Sequence, residues 1–330
     1  MKTKILSCYI LIFSSAIIGS CTKIESGFLS DGIRYKDNTI FCKRGMSLTM
    51  SDRINTDGST PPYQFELINL RQESSEEAAP KVFFEAFDIL TFKPGMVFNA
   101  ETDTTVELLN KKRETVKKPP MEFNTVSGQL VFNRASTNLP LGRYTFDVKM
   151  SNPTGQKLFP KLATIEIIDP VIEDMFEVTY QAATGSNASE VFTTITSPKL
   201  KCTKISNEGA RVILKIVDKN GKAFNPKNGE VVKRGDRPMF ESHVKFNPVQ
   251  VTDTEMICDF EVAPFPLAKL IGKDGTDWGY LNYYRIPMQF AQVDGLPNSN
   301  VNPVFGFRIL MEGTYEVEVM LPTVTRIERK

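Results

Sequence analysis

The sequence predicts an all-β protein: an N-terminal β-sandwich followed by a second, larger sandwich-type domain. Three observations carry this reading. Apolar residues recur with a period of two rather than 3.6. Tight-turn pairs punctuate the chain, at Asp57-Gly58, Asn220-Gly221, Asn228-Gly229, Asp274-Gly275 and Asp294-Gly295. Helical pattern is scarce. Residues 100–116 suit a helix, weakened by Thr102, Thr104 and Thr105, or equally a hairpin, and residues 263–271 suit a turn or two of helix.

The chain opens on a leader. Lys2 and Lys4 precede an apolar run over residues 5–18, which ends in Ile18-Gly19-Ser20-Cys21. A basic start and a short apolar stretch make an export signal, too short to be a spanning helix. A branched apolar residue at −3, small residues at −2 and −1 and a cysteine at +1 form a bacterial lipobox. The peptidase needs small side chains at the scissile bond, and the thiol carries the lipid. Residues 1–20 are therefore expected to be a lipoprotein signal peptide. Residues 21–30 are the lipidated Cys21 and a polar tether. Each buried methylene contributes about 0.8 kcal/mol, so two or more acyl chains, palmitate among them, would anchor the chain firmly in a membrane.

The first domain is expected over residues 31–169. Tyr63, Phe65 and Leu67 alternate with Gln64 and Glu66, and Tyr144, Phe146, Val148 and Met150 alternate with Arg143, Thr145, Asp147 and Lys149. Each reads as a strand with one dry and one wet face. In residues 139–148 a turn containing Gly142 feeds a strand that opens with Tyr144. The polar loop Ser151-Asn152-Pro153-Thr154-Gly155 follows, then a strand with Ala163, Ile165 and Ile167 on one face. Residues 139–168 resemble the last two strands of an Ig-like or cadherin-like module, and in Ig-like sandwiches a tyrosine at that corner bonds the preceding backbone. Pro170 cannot continue a ladder and marks the boundary.

The second, β-rich domain is expected over residues 170–330, as the part that meets a ligand or partner. Phe176, Val178 and Tyr180 alternate with Glu177, Thr179 and Gln181, and Tyr315, Val317, Val319 and Leu321 form another dry face.

Composition narrows the function. Lys and Arg number 40 and Asp and Glu 39, and loss of Lys2 and Lys4 with the leader leaves the signs nearly cancelled. A nucleic-acid partner is not expected from that balance. Of five cysteines, Cys8 leaves with the leader and Cys21 takes the lipid. The remaining Cys42, Cys202 and Cys258 are odd in number, so a disulfide framework does not organise the fold. Cys202 and Cys258 either pair or are buried free thiols.

Catalytic and metal motifs are few. His243 is the single histidine, with no Gly-x-Ser-x-Gly elbow and no neighbouring cysteine, and reads as a strand or loop residue. No His/Cys cluster suits zinc and no Gly-rich loop suits phosphate. The Asp-rich turns near Asp274 and Asp52 lack calcium-loop spacing. No metal or cofactor is expected. Carboxylate pairs for glycoside hydrolysis occur in any acidic β protein and discriminate nothing. Lys111-Lys112-Arg113 and Lys117-Lys118 read as a solvated basic loop.

The candidate binding stretch is Asp277-Trp278-Gly279-Tyr280-Leu281-Asn282-Tyr283-Tyr284-Arg285, with the only Trp and three of nine Tyr. Sugar rings stack their C–H faces on aromatic faces, and their hydroxyls need polar partners. Trp278, Tyr280 and Tyr283 are candidate platforms, and Asp277 and Asn282 candidate hydroxyl partners. The other reading makes these residues core or loop anchors, with Tyr284, Ile286, Met288 and Phe290 pointing inward.

The lipobox, the tether, the Ig-like module and the aromatic β domain, together with Gly27-Phe28-Leu29-Ser30-Asp31 and Asp57-Gly58-Ser59-Thr60-Pro61, resemble an uncharacterised two-domain family of surface lipoproteins. That family belongs to Bacteroidota glycan-utilisation systems of the starch-utilisation type. The resemblance implies a non-catalytic, lipid-anchored protein at the outer membrane, on the cell surface, that captures a glycan beside an outer-membrane transporter. The acidic run that often follows the lipidated cysteine in surface-displayed members is absent here, where Glu25 is the one acid. The alternatives are an adhesin-like or transporter-accessory protein that binds protein partners only through strand edges, and a glycoside hydrolase.

Overall fold

Alternating apolar residues from Thr39 onward put most of the regular structure into strands. The computed structural model describes residues 27–328 except Lys245 and is predominantly β. The expected leader and lipidation site, residues 1–20 and Cys21, lie outside the described residues. Among the described residues no helix is long and apolar enough to cross a membrane.

The N-terminal half holds β1 (Thr39–Lys43), β2 (Leu48–Met50), β3 (Gln64–Gln72), β4 (Phe87–Phe92), β5 (Arg113–Lys118), β6 (Met121–Phe123), β7 (Leu130–Asn133), β8 (Gly142–Asn152) and β9 (Gly155–Ile168). One sheet runs β1-β9-β8-β3 and the facing sheet β2-β7-β6. β1 lies parallel to β9, and the other pairs are antiparallel. With the β4-β5 hairpin set aside, these seven strands follow the order of an Ig-like sandwich, the first strand joined to the last. Tyr144, Phe146, Val148 and Met150 from β8 meet Leu130 and Phe132 from β7 in one core, as their period of two requires. Tyr144 Oη reaches the Pro140 carbonyl at a long 3.5 Å, and its ring packs edge-on against Phe83. Leu29, inside the expected tether, is buried in this core.

Residues 100–116 resolve into both alternatives. A short helix, α1 (Val106–Lys111), is capped by the Thr105 side chain, which accepts the Leu108 N–H, and β5 follows it to pair with β4.

The C-terminal half holds β10 (Phe176–Ser186), β11 (Phe192–Ile195), β12 (Lys199–Ser206), β13 (Ala210–Val217), β14 (Val232–Lys233), β15 (Gln250–Val251), β16 (Met256–Asp259), β17 (Leu270–Ile271), β18 (Asp277–Gly279), β19 (Leu281–Arg285), β20 (Ala291–Val293), β21 (Asn300–Ile309), β22 (Gly313–Met320) and β23 (Val324–Arg326). Two five-stranded sheets, β11-β10-β21-β19-β14 and β12-β22-β13-β16-β15, enclose a core that includes Phe305, Phe307, Tyr284, Tyr315 and Leu214. The helix expected over residues 263–271 is absent. Pro264 and Pro266 interrupt it, Phe265 makes an isolated bridge to Ile309, and β17 takes its end.

Cys202 and Cys258 do not pair. They sit on β12 and β16, the first and fourth strands of one sheet, three spacings of about 4.8 Å apart and well outside disulfide reach. Burial pushes both thiols up to about 12.

Candidate functional site

A single irregularity shapes the outer face of the β11-β10-β21-β19-β14 sheet. Phe176 and Val178 of β10 pair with Ile309 and Phe307, which point into the core. Between Val178 and Tyr180 the register shifts by one residue, so Tyr180 meets Gly306. A bulge of this kind reverses the facing of every later residue on the strand. Tyr180, expected on the dry face with Phe176, is therefore turned outward and is 49% exposed. Gly306 in turn pairs with Leu281, and Val304 with Ala182 and Tyr283. The outer face thus has a low floor at Gly306, Ala182 and Val304, with Tyr180 and Tyr283 set diagonally across it.

Three of the sequence-selected aromatics gather at this face. Trp278, on the β17-β18 ribbon, packs edge-on against Tyr283, with ring centroids 5.6 Å apart at 85°. Both rings are partly exposed. Tyr280 is also partly exposed and lies 4.9 Å from the Arg308 guanidinium. Asp277 is exposed beside them. Its carboxylate accepts the Gly279 N–H at 2.8 Å and pairs with Lys269 at 3.3 Å, and these contacts hold it below the usual carboxylate range.

Asn282 corrects the expectation. It alternates with Tyr283 on β19 and so faces the core, 3% exposed. Its Nδ2 donates to the carbonyls of Tyr280 and Phe305 at 3.2 and 3.3 Å. A buried amide spent on backbone cannot serve a ligand on the other side of the sheet. Tyr284 and Ile286 are buried, as the alternation predicted.

Sequence reasoning missed the arginines of this face. Arg237 lies 5.5 Å over the Tyr283 ring and Arg234 4.9 Å over Phe192. Arg285 projects from β19 and makes two bonds to Glu190, at 2.8 and 2.7 Å, and one to Asn302 at 2.9 Å. Burial raises the Tyr283 phenol's pKa, against the pull of Arg237 and Arg234, while Tyr180 adds to the rise. The available signal was the turn Arg234-Gly235-Asp236-Arg237, which sets two like charges close together in a polar loop. No signal pointed to Tyr180, because a bulge leaves no mark in the residue pattern.

Elsewhere, His243 ends a short helix, α3 (Phe240–His243), reached in chain order after α2 (Ile172–Met175). It is 9% exposed, with Nε2 3.0 Å from the Leu281 carbonyl oxygen, and burial lowers its pKa. It lines a cleft of about 430 Å³ between residues 98–101 and 266–273. Among the described residues no group of three or more His, Cys, Asp or Glu side chains could hold a metal ion.

No family model matches the chain and no curated protein matches it. Among solved structures, it is similar to a SusE-like, surface-located polysaccharide-binding protein from the heparin utilisation locus of Bacteroides thetaiotaomicron. The two share 8% identity with a TM-score of 0.26 over 87% of this chain. The match spans about half of that structure's length, 53%.

Proposed function

We propose that the chain is a non-catalytic, lipid-anchored glycan-capture protein of the bacterial outer membrane, acting beside a transporter that imports the bound polymer. The domains would divide at residue 169. The Ig-like sandwich over residues 31–169 would act as a spacer above the Cys21 anchor, and residues 170–330 would present the ligand face. The observation that carries this reading is the grouping of Trp278, Tyr280, Tyr283 and Tyr180, all partly exposed, around a floor of small residues on one sheet. Exposed aromatic clusters on a sandwich face mark binding surfaces, because burying those rings in the monomer would have been favourable. Asp277 is the polar partner that remains on the surface.

Affinity electrophoresis of the full chain in mild detergent, against plant, host and microbial polysaccharides, tests the proposal. Slower migration in one polymer, with the polymer length unchanged on incubation, supports capture. Shortening of the polymer would make the protein a hydrolase instead. Cys21→Ser should move the chain from the membrane pellet to the soluble fraction, and a variant that still sediments with membranes would refute the lipid anchor.

A further inference from the structure

The aromatic face carries more positive charge than its own carboxylates engage. Arg285 is occupied by Glu190 and Asn302, and Arg308 has Glu177 at 4.0 Å. Arg234 and Arg237 have no such partner. Among the described residues neither one makes an ion pair, with Asp236 of the same turn or with any other acid. Arg234 Nε is buried without any hydrogen-bond partner. Burial lowers the Arg234 pKa and the like charges of Arg237 and Arg285 lower it further, while Tyr283 and Glu190, the latter already bonded to Arg285, pull it the other way.

One turn brings both side chains to the face. The Arg237 N–H bonds the Arg234 carbonyl at 3.3 Å, so one tight turn presents the two guanidiniums, with Gly235 at φ +57°. Each guanidinium lies over a ring, Phe192 for Arg234 and Tyr283 for Arg237. A guanidinium lying over a ring keeps its terminal Nη–H groups for paired oxygens, and in Arg234 these are the groups that remain, since its Nε is buried. Carboxylates and sulfate esters present such oxygens. Trp278 and Tyr283 stand next to the turn and supply faces for the C–H side of a pyranose. An acidic peptide would meet the arginines but would make no such use of the rings.

We infer that this face takes an anionic polysaccharide, its uronate or sulfate groups held by Arg234 and Arg237 while its rings lie on Tyr283 and Trp278. The inference rests on the glycan-capture reading. The whole chain has a formal charge of only +1, so retention of a polyanion would report this local cluster rather than bulk attraction.

The test is affinity electrophoresis of the full chain in mild detergent with four probes: polygalacturonate, dextran sulfate, neutral dextran and polyglutamate. One of the two anionic polysaccharides is expected to slow migration, and which one identifies uronate or sulfate as the recognised group. The double variant Arg234→Gln/Arg237→Gln should weaken that Kd at least about tenfold, equivalent to 1.4 kcal/mol, with an unchanged melting temperature. Lys117→Gln/Lys118→Gln, in the exposed basic run, should leave it unchanged. Retention by neutral dextran alone, untouched by the arginine variant, would overturn the inference and leave glycan capture standing. Equal retention by polyglutamate, or equal loss in the lysine variant, would reduce it to general ion pairing. No retention by any probe would overturn both.

Discussion

Gly306 lies directly against Thr179. A Cβ on Gly306 would fall 2.4 Å from Thr179 Oγ1 and 3.1 Å from the Tyr280 carbonyl oxygen. Thr179 is the extra residue of the β10 bulge, and Tyr280 leads into β19. The missing side chain therefore lets two neighbouring segments close over β21, and Tyr180, next after Thr179, stands opposite Gly306 on the outer face. A glycine in a strand interior lowers stability in itself, and here close backbone approach accounts for it.

Gly306→Ala should lower stability by about 1–3 kcal/mol, the usual cost of overpacking. Adding Thr179→Ala removes the 2.4 Å contact but not the 3.1 Å contact with backbone. The double variant should therefore recover part of the loss and not all of it. Urea unfolding of the two variants and the parent checks this, and full recovery would show that the Tyr280 carbonyl imposes nothing.

Trp278→Ala should separate binding from folding. Trp278 is partly exposed, and among the described residues its ring partner is Tyr283. An edge-on aromatic pair contributes about 0.5–1.5 kcal/mol beyond burial, so the melting temperature should fall by only a few degrees. Polysaccharide retention should vanish. A collapse of stability with retention intact in the folded fraction would instead make Trp278 a structural anchor of the β17-β18 ribbon.

Tyr284 offers the opposite case, a ring one residue after Tyr283 that faces the core. Its Oη accepts the Phe240 N–H at 3.0 Å and donates to Glu241 at 3.2 Å. Tyr284→Phe keeps the ring and leaves a buried N–H without its acceptor, at a cost of about 1–3 kcal/mol. Denaturant midpoints measure the loss. Glycan retention at saturating protein should not change, because the phenol lies on the inner side of the sheet.

The two sandwiches were legible in the sequence because one face of most strands is buried, which forces a two-residue period. Tyr144, Phe146, Val148 and Met150 on β8, and Tyr315, Val317 and Val319 on β22, are buried at the expected positions. Asn282 was misplaced although the rule that places it correctly was in hand. Alternation from Tyr284 puts Asn282 inward, and its polar side chain suggested the surface only because the backbone carbonyls that take its Nδ2 hydrogens are invisible in sequence. Tyr180 was misassigned for a different reason. Its parity with Phe176 holds in sequence and is broken in space by one unpaired residue. The arginines of the face come from separate segments, with Arg234 and Arg237 on the loop after β14, Arg285 on β19 and Arg308 on β21. Their meeting depends on strand order, which local pattern does not specify.

Acid sensitivity of the C-terminal sandwich should centre on Glu230 and Asp218, which hold its last strand. Glu230 is 2% exposed and takes two bonds from Arg326, at 2.6 and 2.8 Å, with a third from the Asn225 N–H at 3.0 Å. Asp218 is fully buried and accepts the N–H groups of Asn220, Lys222 and Arg326 at 2.8–2.9 Å. Burial raises both carboxyl pKa values, but these donors outweigh it and hold both below their ordinary values. A carboxyl whose folded pKa is depressed is protonated first in the unfolded chain. Its stabilisation is thus complete above the unfolded value, about 4.5 for Glu, and drains away as pH falls through the lower folded value. Glu230→Gln leaves Arg326 without its buried charge partner, with only the exposed Glu328 at 3.8 Å, and should cost about 3 kcal/mol near pH 7. That difference from the parent should shrink steadily below about pH 4.5, as the parent loses the same interaction to protonation. Trp278 fluorescence, reporting from this sandwich, can follow urea unfolding of both proteins from pH 7 to 3. A difference that stays constant across that range would show that the Glu230–Arg326 pair holds β23 by shape and hydrogen bonding alone, with no contribution from its charge.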